Sequence, residues 1–287
     1  MTGKLNNSDE QQLPISVQIC TLNVETMIKD CLMSVVKNNP AEIIVIDGSS
    51  SDKTVTIAEE FGVRIITLGR IGLGNSRQIG IISTTLPYIA IVDADDRLMP
   101  DCLKILYNEL IDNNFDAIQA NNQPFENTTY WQKGWGLNIG LNCNSVGTTN
   151  MVGRPALYVT DAIVKVGFDP FFTFFAEDTS LSILFEKQGY RQGIGTGISK
   201  RIHATTFQES KMKWISYGRG YALIAYKYSE KKKNMKKHVF WNLPFLRSLI
   251  FIKKGFFKYV LFNIFYAHYV VLGYFKENKK INTIVDL

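Results

Sequence analysis

The chain has 287 residues, of which 46% are hydrophobic and 20% are charged, a balance typical of globular proteins. This composition excludes a wholly disordered, collagen-like or coiled-coil chain. The four cysteines lie far apart without a C-x-x-C pair, which excludes a disulfide scaffold and a cysteine-based zinc site. Residues 1–14 are polar and contain no apolar stretch, so we expect no cleavable secretory signal. We expect residues 1–13 to form a flexible N-terminus.

The net charge of +6 is unevenly distributed along the chain. Residues 231–276 contain ten lysines and arginines and no aspartate or glutamate, so the rest of the chain carries a net charge of −4. The bulk of the protein is therefore mildly acidic, whereas its last fifth is strongly basic and rich in apolar residues. These two regions need separate explanations.

Four short apolar runs in the first third of the chain predict strands of a parallel sheet. The runs are apolar on both faces, as expected for strands that are covered by helices on both sides. They span residues 15–20, 42–47, 63–68 and 88–93, and segments with helical spacing alternate with them at 25–37, 52–61 and 75–83. This alternation predicts βαβ units and an α/β fold.

The remaining segments before residue 190 are less regular. Helical patterns recur at 101–115, 160–166 and 179–188. Residues 121–150 are rich in Asn, Gly and Trp and have no clear period, which predicts a long binding loop.

Polar residues collect where the predicted strands end, which is the edge of a parallel sheet at which ligands bind. Asp93 and Asp95 follow the fourth strand, and two hard oxygen ligands of this kind suit Mg²⁺ or Mn²⁺. A solvated acidic loop is the alternative. Asp47 follows the second strand, where it could accept a hydrogen bond from a base or a ribose, or belong to a plain turn with a helix cap.

Residues 69–77 form a glycine-bearing loop that contains Arg77 and could hold phosphates through backbone N–H groups and guanidinium. The loop lacks the third glycine of a dinucleotide-binding fingerprint and has no Walker lysine. NAD binding and P-loop nucleotide hydrolysis are therefore disfavoured.

Two further candidates lie later in the chain. Asp178 follows Glu177 and several phenylalanines, which predicts a partly desolvated acid whose pKa is raised toward that of a general base. Acidic capping of a helix N-terminus is the alternative. His203 lies 25 positions after Asp178 and is either structural or a ligand that completes a carboxylate metal site.

Taken in order, these segments resemble the family 2 glycosyltransferases with the GT-A fold, over about residues 15–220. Each segment is loosely defined alone, and their ordered combination is specific. The matching segments are 15–25 (opening strand and turn), 47–54 (aspartate-rich turn), 72–80, 93–96 (D-x-D) and 167–191 (the block that contains ED).

The resemblance implies a GT-A fold, a Rossmann-like and mostly parallel sheet with helices on both faces. Residues 14–120 would form the nucleotide-sugar-binding half of one domain, and residues 121–225 the half that holds the acceptor and the catalytic base. The implied site residues are Thr21, Glu25 and Asp47 for the nucleoside, Arg77 and Asp93 for the sugar or diphosphate, Asp95, Asp93 and His203 for Mn²⁺ or Mg²⁺, and Asp178 as the base.

The implied activity is metal-dependent, inverting transfer of a sugar from a nucleotide diphosphate sugar to a hydroxyl of a lipid-linked or cell-surface glycan. A polyprenyl-phosphate sugar synthase would use the same fold with a phosphate as nucleophile. A non-catalytic nucleotide-sugar-binding module is a further alternative. A D-x-D phosphatase is disfavoured, because its D-x-D should follow the first strand rather than the fourth.

Residues 226–287 are predicted to form basic, membrane-associated helices. Apolar, aromatic segments fill 239–275, and Arg247, Lys254 and Lys258 share one helical face, which is typical of interfacial helices on an anionic membrane. A pair of core helices is the alternative.

The uncharged run 259–275 has 17 residues, at the lower limit for spanning a bilayer. Long aliphatic and aromatic runs suit lipid better than nucleic acid. We therefore expect the cytoplasmic face of the cell membrane, with peripheral attachment or one short embedded segment. Residues after about 230 would not be needed to build the donor site.

Overall fold

The structure, a computed structural model, describes residues 12–125, 128–142, 145–241 and 244–285. Residues 1–11 of the predicted flexible N-terminus lie outside the described residues, and the first strand begins at Leu13. The strands are β1 (Leu13–Thr21), β2 (Pro40–Asp47), β3 (Arg64–Thr67), β4 (Tyr88–Asp93), β5 (Asp96–Leu98), β6 (Ala117–Pro124), β7 (Gly147–Thr149), β8 (Ala156–Val159) and β9 (Gln192–Arg201).

The helices lie between the strands and, after β9, follow one another without further strands. They are α1 (Ile28–Val36), α2 (Thr54–Glu59), α3 (Leu73–Ile82), α4 (Cys102–Asp112), α5 (Tyr130–Asn142), α6 (Thr160–Val166), α7 (Glu177–Lys187), α8 (Phe207–Lys227), α9 (Lys232–Trp241), α10 (Pro244–Lys253) and α11 (Val260–Val285). Short 3₁₀ turns precede α9 (Ser229–Lys231) and α11 (Phe257–Tyr259).

All nine strands form one sheet in the order β3-β2-β1-β4-β8-β6-β9-β5, with β7 also beside β9. Strands β1 to β4 are parallel to their neighbours within this group, and β6 is parallel to β9. Strand β8 runs antiparallel to β4 and β6, and β5 and β7 run antiparallel to β9. The predicted α/β fold with a mostly parallel sheet is confirmed, and antiparallel strands extend it beyond β4.

Two apolar clusters lie on opposite faces of this sheet. Because alternate residues of a strand point to opposite faces, Val92 of β4 belongs to the cluster beneath α1 and α4, whereas Ile91 belongs to the cluster beneath α3, α6 and α7. Both faces of β4 are therefore covered. This explains why the strand reads as a continuous apolar run.

The prediction of a long loop over residues 121–150 is wrong. Strand β6 continues to Pro124, and Tyr130–Asn142 forms helix α5. Trp131 and Trp135 lie one helical turn apart on α5, and their rings contact Trp214 and Phe262. The helix forms because tertiary packing of these rings outweighs the weak helix preference of its Asn and Gly residues.

Helix α11 packs along α8 and contacts α5 and α10. One aromatic cluster joins α5, α8 and α11, since Trp135, Trp214, Phe262, Tyr266 and Val270 are all buried in it. The uncharged run predicted at 259–275 therefore has one face inside the globular body. No helix among the described residues is both long and apolar enough to cross a membrane.

Candidate active site

The carboxyl ends of β1, β2 and β4 meet at one edge of the sheet, as expected for adjacent parallel strands. Thr21 lies opposite Asp47 in the β1–β2 pair, and Cys20 lies opposite Asp93 in the β1–β4 pair. Three segments that are far apart in sequence thus place polar side chains along one edge. We call this edge the active-site rim.

Asp47 is fully buried at one end of the rim, where it organises the turn that follows β2. Its Oδ1 accepts hydrogen bonds from Thr21 Oγ1 at 2.9 Å and from Ser50 Oγ at 2.6 Å, and its Oδ2 accepts one from the Ser50 N–H at 2.8 Å. Glu25 is exposed beside this turn, and its Oε2 accepts a hydrogen bond from the Lys53 N–H at 3.0 Å. The structure therefore brings Thr21, Glu25 and Asp47 to one place, with Glu25 the one open to solvent.

Asp93, Asp95 and Asp96 form an acidic cluster in which one carboxylate oxygen from each lies within 4.8 Å of the others. Asp96 is fully buried, and its two oxygens accept hydrogen bonds from Arg201 Nε and Nη2, both at 2.8 Å. Among the described residues, the Asp95 carboxylate contacts protein cations only at longer distances, at 3.4 Å to Lys213 Nζ and at 3.7 Å to Arg201 Nε. Asp95 is therefore the carboxylate of the cluster best able to accept another ligand.

Two buried arginines connect the acidic cluster to the start of α7. Arg77 Nη2 lies 2.6 Å from Asp93 Oδ1, and its Nη1 forms a very short ion pair with Glu177 Oε1. Arg154 Nε lies 3.1 Å from Asp93 Oδ2, and its Nη2 lies 3.3 Å from Glu177 Oε1 and 3.1 Å from Asp178 Oδ2. One guanidinium thus contacts three carboxylates, and the predicted base is held within the same network as the predicted metal site.

Asp178 lies in the first turn of α7, with its side chain 31% exposed. Its Oδ1 accepts a hydrogen bond from the Thr179 N–H at 2.7 Å. Burial favours a higher pKa for Asp178, but the positive charges of Arg154 and Arg77 outweigh burial and hold the pKa below its usual value. The predicted rise in the pKa of Asp178 is therefore wrong, because Arg154 was not recognised as a site residue and Arg77 was expected near the sugar or diphosphate rather than the base.

His203 lies two residues beyond the end of β9 and is 7% exposed. Its ring stacks on Trp135 at a centroid distance of 5.8 Å, and within the described part of the chain its Nε2 has no hydrogen-bond partner. Burial, together with the positive charges of Arg201 and Lys213, lowers the pKa of His203 to about 3. The imidazole is therefore neutral, which is the form that binds metals. Among the described residues, the ligand atoms that lie within 4.8 Å of one another belong to Asp93, Asp95 and Asp96, and His203 is not part of this group.

The glycine loop before α3 has a packing role that the sequence did not indicate. Gly72 has a positive φ of 92°. A side chain at Gly74 would collide with the carbonyl of Phe172, and the Gly74 N–H donates to the Thr173 carbonyl at 3.1 Å. The loop thus supports residues 169–176, which lead to α7, and it places Arg77 in the first turns of α3.

Arg154, Arg201 and Lys213 are site residues that the sequence analysis missed. Arg154 immediately precedes Pro155 and the buried strand β8, and Arg201 is the last residue of β9. Both strands end or begin at the rim, although neither was predicted from the sequence. At Arg154 the available signal was a lone arginine next to an uncharged strand, which is visible only when β8 is known. Arg201 follows Lys200 within β9 and had no such signal.

Comparison with known proteins gives a family and several relatives. The family model described as Glycosyl transferase family 2 matches residues 16–175, more than half of the chain. The chain is 32% identical over 113 residues to a cholesterol galactosyltransferase of Borreliella burgdorferi. The matched stretch covers 36% of this chain and 31% of that protein. It is 30% identical over 114 residues to the uncharacterized glycosyltransferase YibD of Escherichia coli. This match covers 37% of the chain and 33% of YibD. The matched part is about a third of the length of these two relatives.

Solved structures share the fold at low sequence identity. A mannosyltransferase from Pyrobaculum calidifontis, in complex with GDP-Man and Mn²⁺, superposes with a TM-score of 0.68 at 14% identity, over 93% of this chain and 87% of that one. The structure of GalNAc-T7 with UDP, GalNAc and Mn²⁺ gives a TM-score of 0.59 at 14% identity, over 75% and 48%. These similarities show the GT-A fold.

Proposed function

The chain belongs to glycosyl transferase family 2 and is an enzyme, and we propose that it transfers a sugar from a nucleotide diphosphate sugar to an acceptor hydroxyl with inversion and with a divalent cation. The observation that carries this proposal is the network at the rim, in which Arg154 joins the acidic cluster to Asp178. Such a network would hold the groups that bind the leaving diphosphate next to the carboxylate that acts as the base.

The donor would bind along the rim from β2 to β4. Thr21, Glu25 and Asp47 would hold the nucleoside, with Asp47 fixing the turn and Glu25 open to a ribose hydroxyl or a base. Arg77 is buried and pairs with Asp93 and Glu177, so its positive charge would lie near the sugar or diphosphate and act there through the position of Asp93. The nucleoside and the diphosphate would thus lie on consecutive strands.

The residues present fit a divalent cation. Asp95 offers hard oxygen ligands with only long contacts to protein cations, Asp93 lies beside it, and His203 offers a buried neutral nitrogen without a partner among the described residues. When bound, Mn²⁺ or Mg²⁺ would neutralise the negative charge that develops on the leaving diphosphate. Both solved structures compared above contain Mn²⁺.

Asp178 would accept the proton of the acceptor hydroxyl. As the acceptor oxygen forms its bond to the anomeric carbon, the bond from that carbon to the diphosphate breaks, and the proton passes to Asp178. Because Arg154 keeps the pKa of Asp178 low, the carboxylate is ionised at neutral pH and available as a base. One base opposite the leaving group gives inversion.

The acceptor would be lipid-linked or part of a cell-surface glycan, at an anionic membrane surface. Phe174, in the segment before α7, is 62% exposed, and Tyr217 on α8 is 44% exposed. Exposed aromatic rings near the base suit the apolar face of a sugar or a lipid. The similarity to a cholesterol galactosyltransferase supports an acceptor with an apolar part.

A phosphate acceptor, as in a polyprenyl-phosphate sugar synthase, is supported by one specific observation. The low pKa of Asp178 makes it a weak base. Arg154 lies beside it, and Arg201 and Lys213 add positive charge at the neighbouring acidic cluster. A phosphate is already ionised and needs no base. The two functions therefore differ in their need for Asp178.

Replacement of Asp178 distinguishes these functions. A thermal-shift screen of nucleotide sugars with Mn²⁺ first identifies the donor. We then expect Asp178→Asn to keep donor affinity near that of the wild type and to lower kcat by about 10²-fold or more, since general-base catalysis contributes about 10²–10⁴. Asp161→Asn is the matched control, because Asp161 is an exposed carboxylate in the first turn of α6. Full activity of Asp178→Asn would favour the phosphate acceptor, and lost donor binding would show a structural role.

A further inference from the structure

The outer face of α11 is apolar and open to solvent. The exposed fraction is 54% for Leu261, 37% for Ile264 and 62% for Phe275. His268 is exposed as well. Their spacing of three, four and seven residues places all four on one side of the helix. We call these four residues the outer stripe.

The outer stripe is held in a fixed orientation by the opposite face of α11. Phe262, Tyr266 and Val270 are buried in the aromatic cluster with α5 and α8. Arg219 Nε of α8 lies 2.6 Å from Glu277 Oε2. The helix therefore cannot turn its stripe inward without losing its core contacts. An apolar face that a packed helix keeps in water indicates a binding surface.

The turn between α10 and α11 extends this apolar surface. Leu249 and Ile252 of α10 are 39% and 42% exposed, and Phe257 in the turn is 66% exposed. Asn263 Nδ2 donates to Ser248 Oγ at 3.3 Å, which joins α10 to α11. We call residues 249–258 the elbow. Phe257 lies four residues before Leu261, in the turn that leads directly into α11, so the elbow continues in the chain into the outer stripe.

Lysines flank the apolar surface at both ends. At the elbow, Lys253, Lys254 and Lys258 are exposed. Beyond Phe275, the exposed lysines are Lys276, Lys279 and Lys280. The first acidic residue after 230 is Glu277, and Arg219 already pairs with it. Within the described part of the chain, none of these six lysines forms an ion pair with an acidic side chain, so their charge is open to an external partner.

We propose that the outer stripe and the elbow dock on an anionic lipid bilayer, with α11 lying along its surface. Exposed aliphatic and aromatic side chains would enter the interface, and lysines at both ends would contact acidic headgroups. Charge complementarity favours this partner. A second copy of the chain would oppose lysines to lysines across a two-fold axis, and nucleic acid offers no apolar layer for Leu261 and Ile264.

The docked orientation would place the active site near the lipid surface. The inner face of α11 contacts Trp135 through Tyr266, at a ring distance of 6.3 Å, and Trp135 stacks on His203. One helix thus separates the lipid-facing surface from the candidate metal ligand. This step rests on the proposed function, whereas docking itself rests on the surface of α10 and α11 alone.

Vesicle flotation of the full chain tests the docking. The wild type is expected to float with phosphatidylcholine vesicles that contain phosphatidylglycerol, and to bind phosphatidylcholine alone at least about tenfold more weakly. The triple replacement of Lys253, Lys254 and Lys258 by Gln should weaken binding to anionic vesicles by about tenfold or more. The matched control replaces three exposed lysines of the catalytic body by Gln, and it should change binding less than about twofold. Those lysines are Lys29, Lys37 and Lys165.

A second pair of variants tests the apolar part. Phe257→Ser with Leu261→Gln should weaken vesicle binding, whereas Ile82→Gln with Ile111→Gln, at exposed positions on the catalytic body, should not. Equal loss in elbow and control variants would overturn the proposal, as would a wild type that ignores anionic vesicles. A concentration-dependent dimer abolished by Leu261→Gln would identify a second copy as the occupant instead. Nucleotide-sugar binding by the same samples, measured by thermal shift, tests the catalytic proposal separately.

Discussion

Arg154 is the residue on which the geometry of the rim depends most. It contacts Asp93, Glu177 and Asp178 at 3.1 to 3.3 Å through two of its nitrogens. The planar guanidinium can serve several carboxylates at once, whereas an ammonium group is a single point charge. The position of the base relative to the leaving group is therefore set by a residue that need not react.

Arg154→Lys keeps the charge and removes the fork. We expect kcat to fall by about tenfold or more, since displacement of reacting groups by about 1 Å can cost about 10²-fold. Donor affinity and thermal stability should change less than kcat. Steady-state kinetics and thermal unfolding measure the three quantities. Arg191→Lys is the control, because Arg191 is exposed at the start of β9, away from the rim. An unchanged kcat would show that Arg154 only balances charge.

Asp95→Ala removes the carboxylate of the acidic cluster with the weakest contacts to protein cations. In the wild type, Mn²⁺ with a nucleotide diphosphate should stabilise the fold by about 2.7 kcal/mol at 100 times Kd, because ligand bound only to the folded state stabilises it. Asp95→Ala or excess EDTA should abolish this gain. Thermal shift measures it, and Asp112→Ala at the exposed end of α4 is the control. A gain that survives EDTA would indicate metal-independent binding.

The sequence located the acidic residues of the site better than the basic ones. Asp47 and Asp93 follow apolar runs directly, so the end of each strand marks the rim. Arg154 lies two residues before β8 and Arg201 ends β9, and these strands pair with non-sequential neighbours and show no clear pattern in the sequence. The pKa of Asp178 depends on Arg154, so its direction could not be known before the pairing of β8 with β4 was known.

At the scale of elements, the strands β1 to β4 were predictable and α5 was not. Strands β1, β2 and β4 are mostly apolar on both faces and are followed by turns, and the edge strand β3 still has Ile65 and Ile66 between exposed Arg64 and Thr67, so local sequence reports the fold. Helix α5 has its stabilising contacts with α8 and α11, which lie about 75 to 135 residues later in the chain. The hydrophobic periodicity of residues 121–150 holds no information about contacts with such distant residues.

Phe262→Ala should destabilise the protein through this aromatic cluster. Phe262 is fully buried between Trp135, Trp131 and Trp214. Removing a buried phenylalanine costs about 3–5 kcal/mol, because a cavity remains that the neighbouring rings cannot fill. Chemical denaturation measures the free energy of unfolding. Leu261→Ala is the adjacent control, since Leu261 is 54% exposed and should change stability by less than about 0.5 kcal/mol.

At the scale of the whole molecule, the basic C-terminal region is part of the globular body rather than an appendage. Its ten positive charges follow a catalytic region with a net charge of −4, yet α11 completes the aromatic cluster that lies behind His203. Helix α11 thus has two faces with different tasks: the inner face stabilises the wall of the site and the outer face meets the surroundings. The sequence predicts that residues after about 230 are dispensable for the donor site, and the packing of α11 leads us to expect the opposite.

A chain that ends after Glu230 should therefore fail to form a stable donor site. The loss of α11 exposes the rings of Trp135 and Trp214, which are at most 4% exposed in the full chain, and it removes the support behind His203. We expect a lower unfolding temperature and no thermal shift with nucleotide diphosphate and Mn²⁺, even in the absence of membranes. A chain that ends after Asn282 keeps the buried residues of α11 through Ile281 and should behave as the full chain. Full nucleotide binding by the chain that ends after Glu230 would show that the donor site forms without the inner face of α11. The function of α11 would then be limited to its outer face.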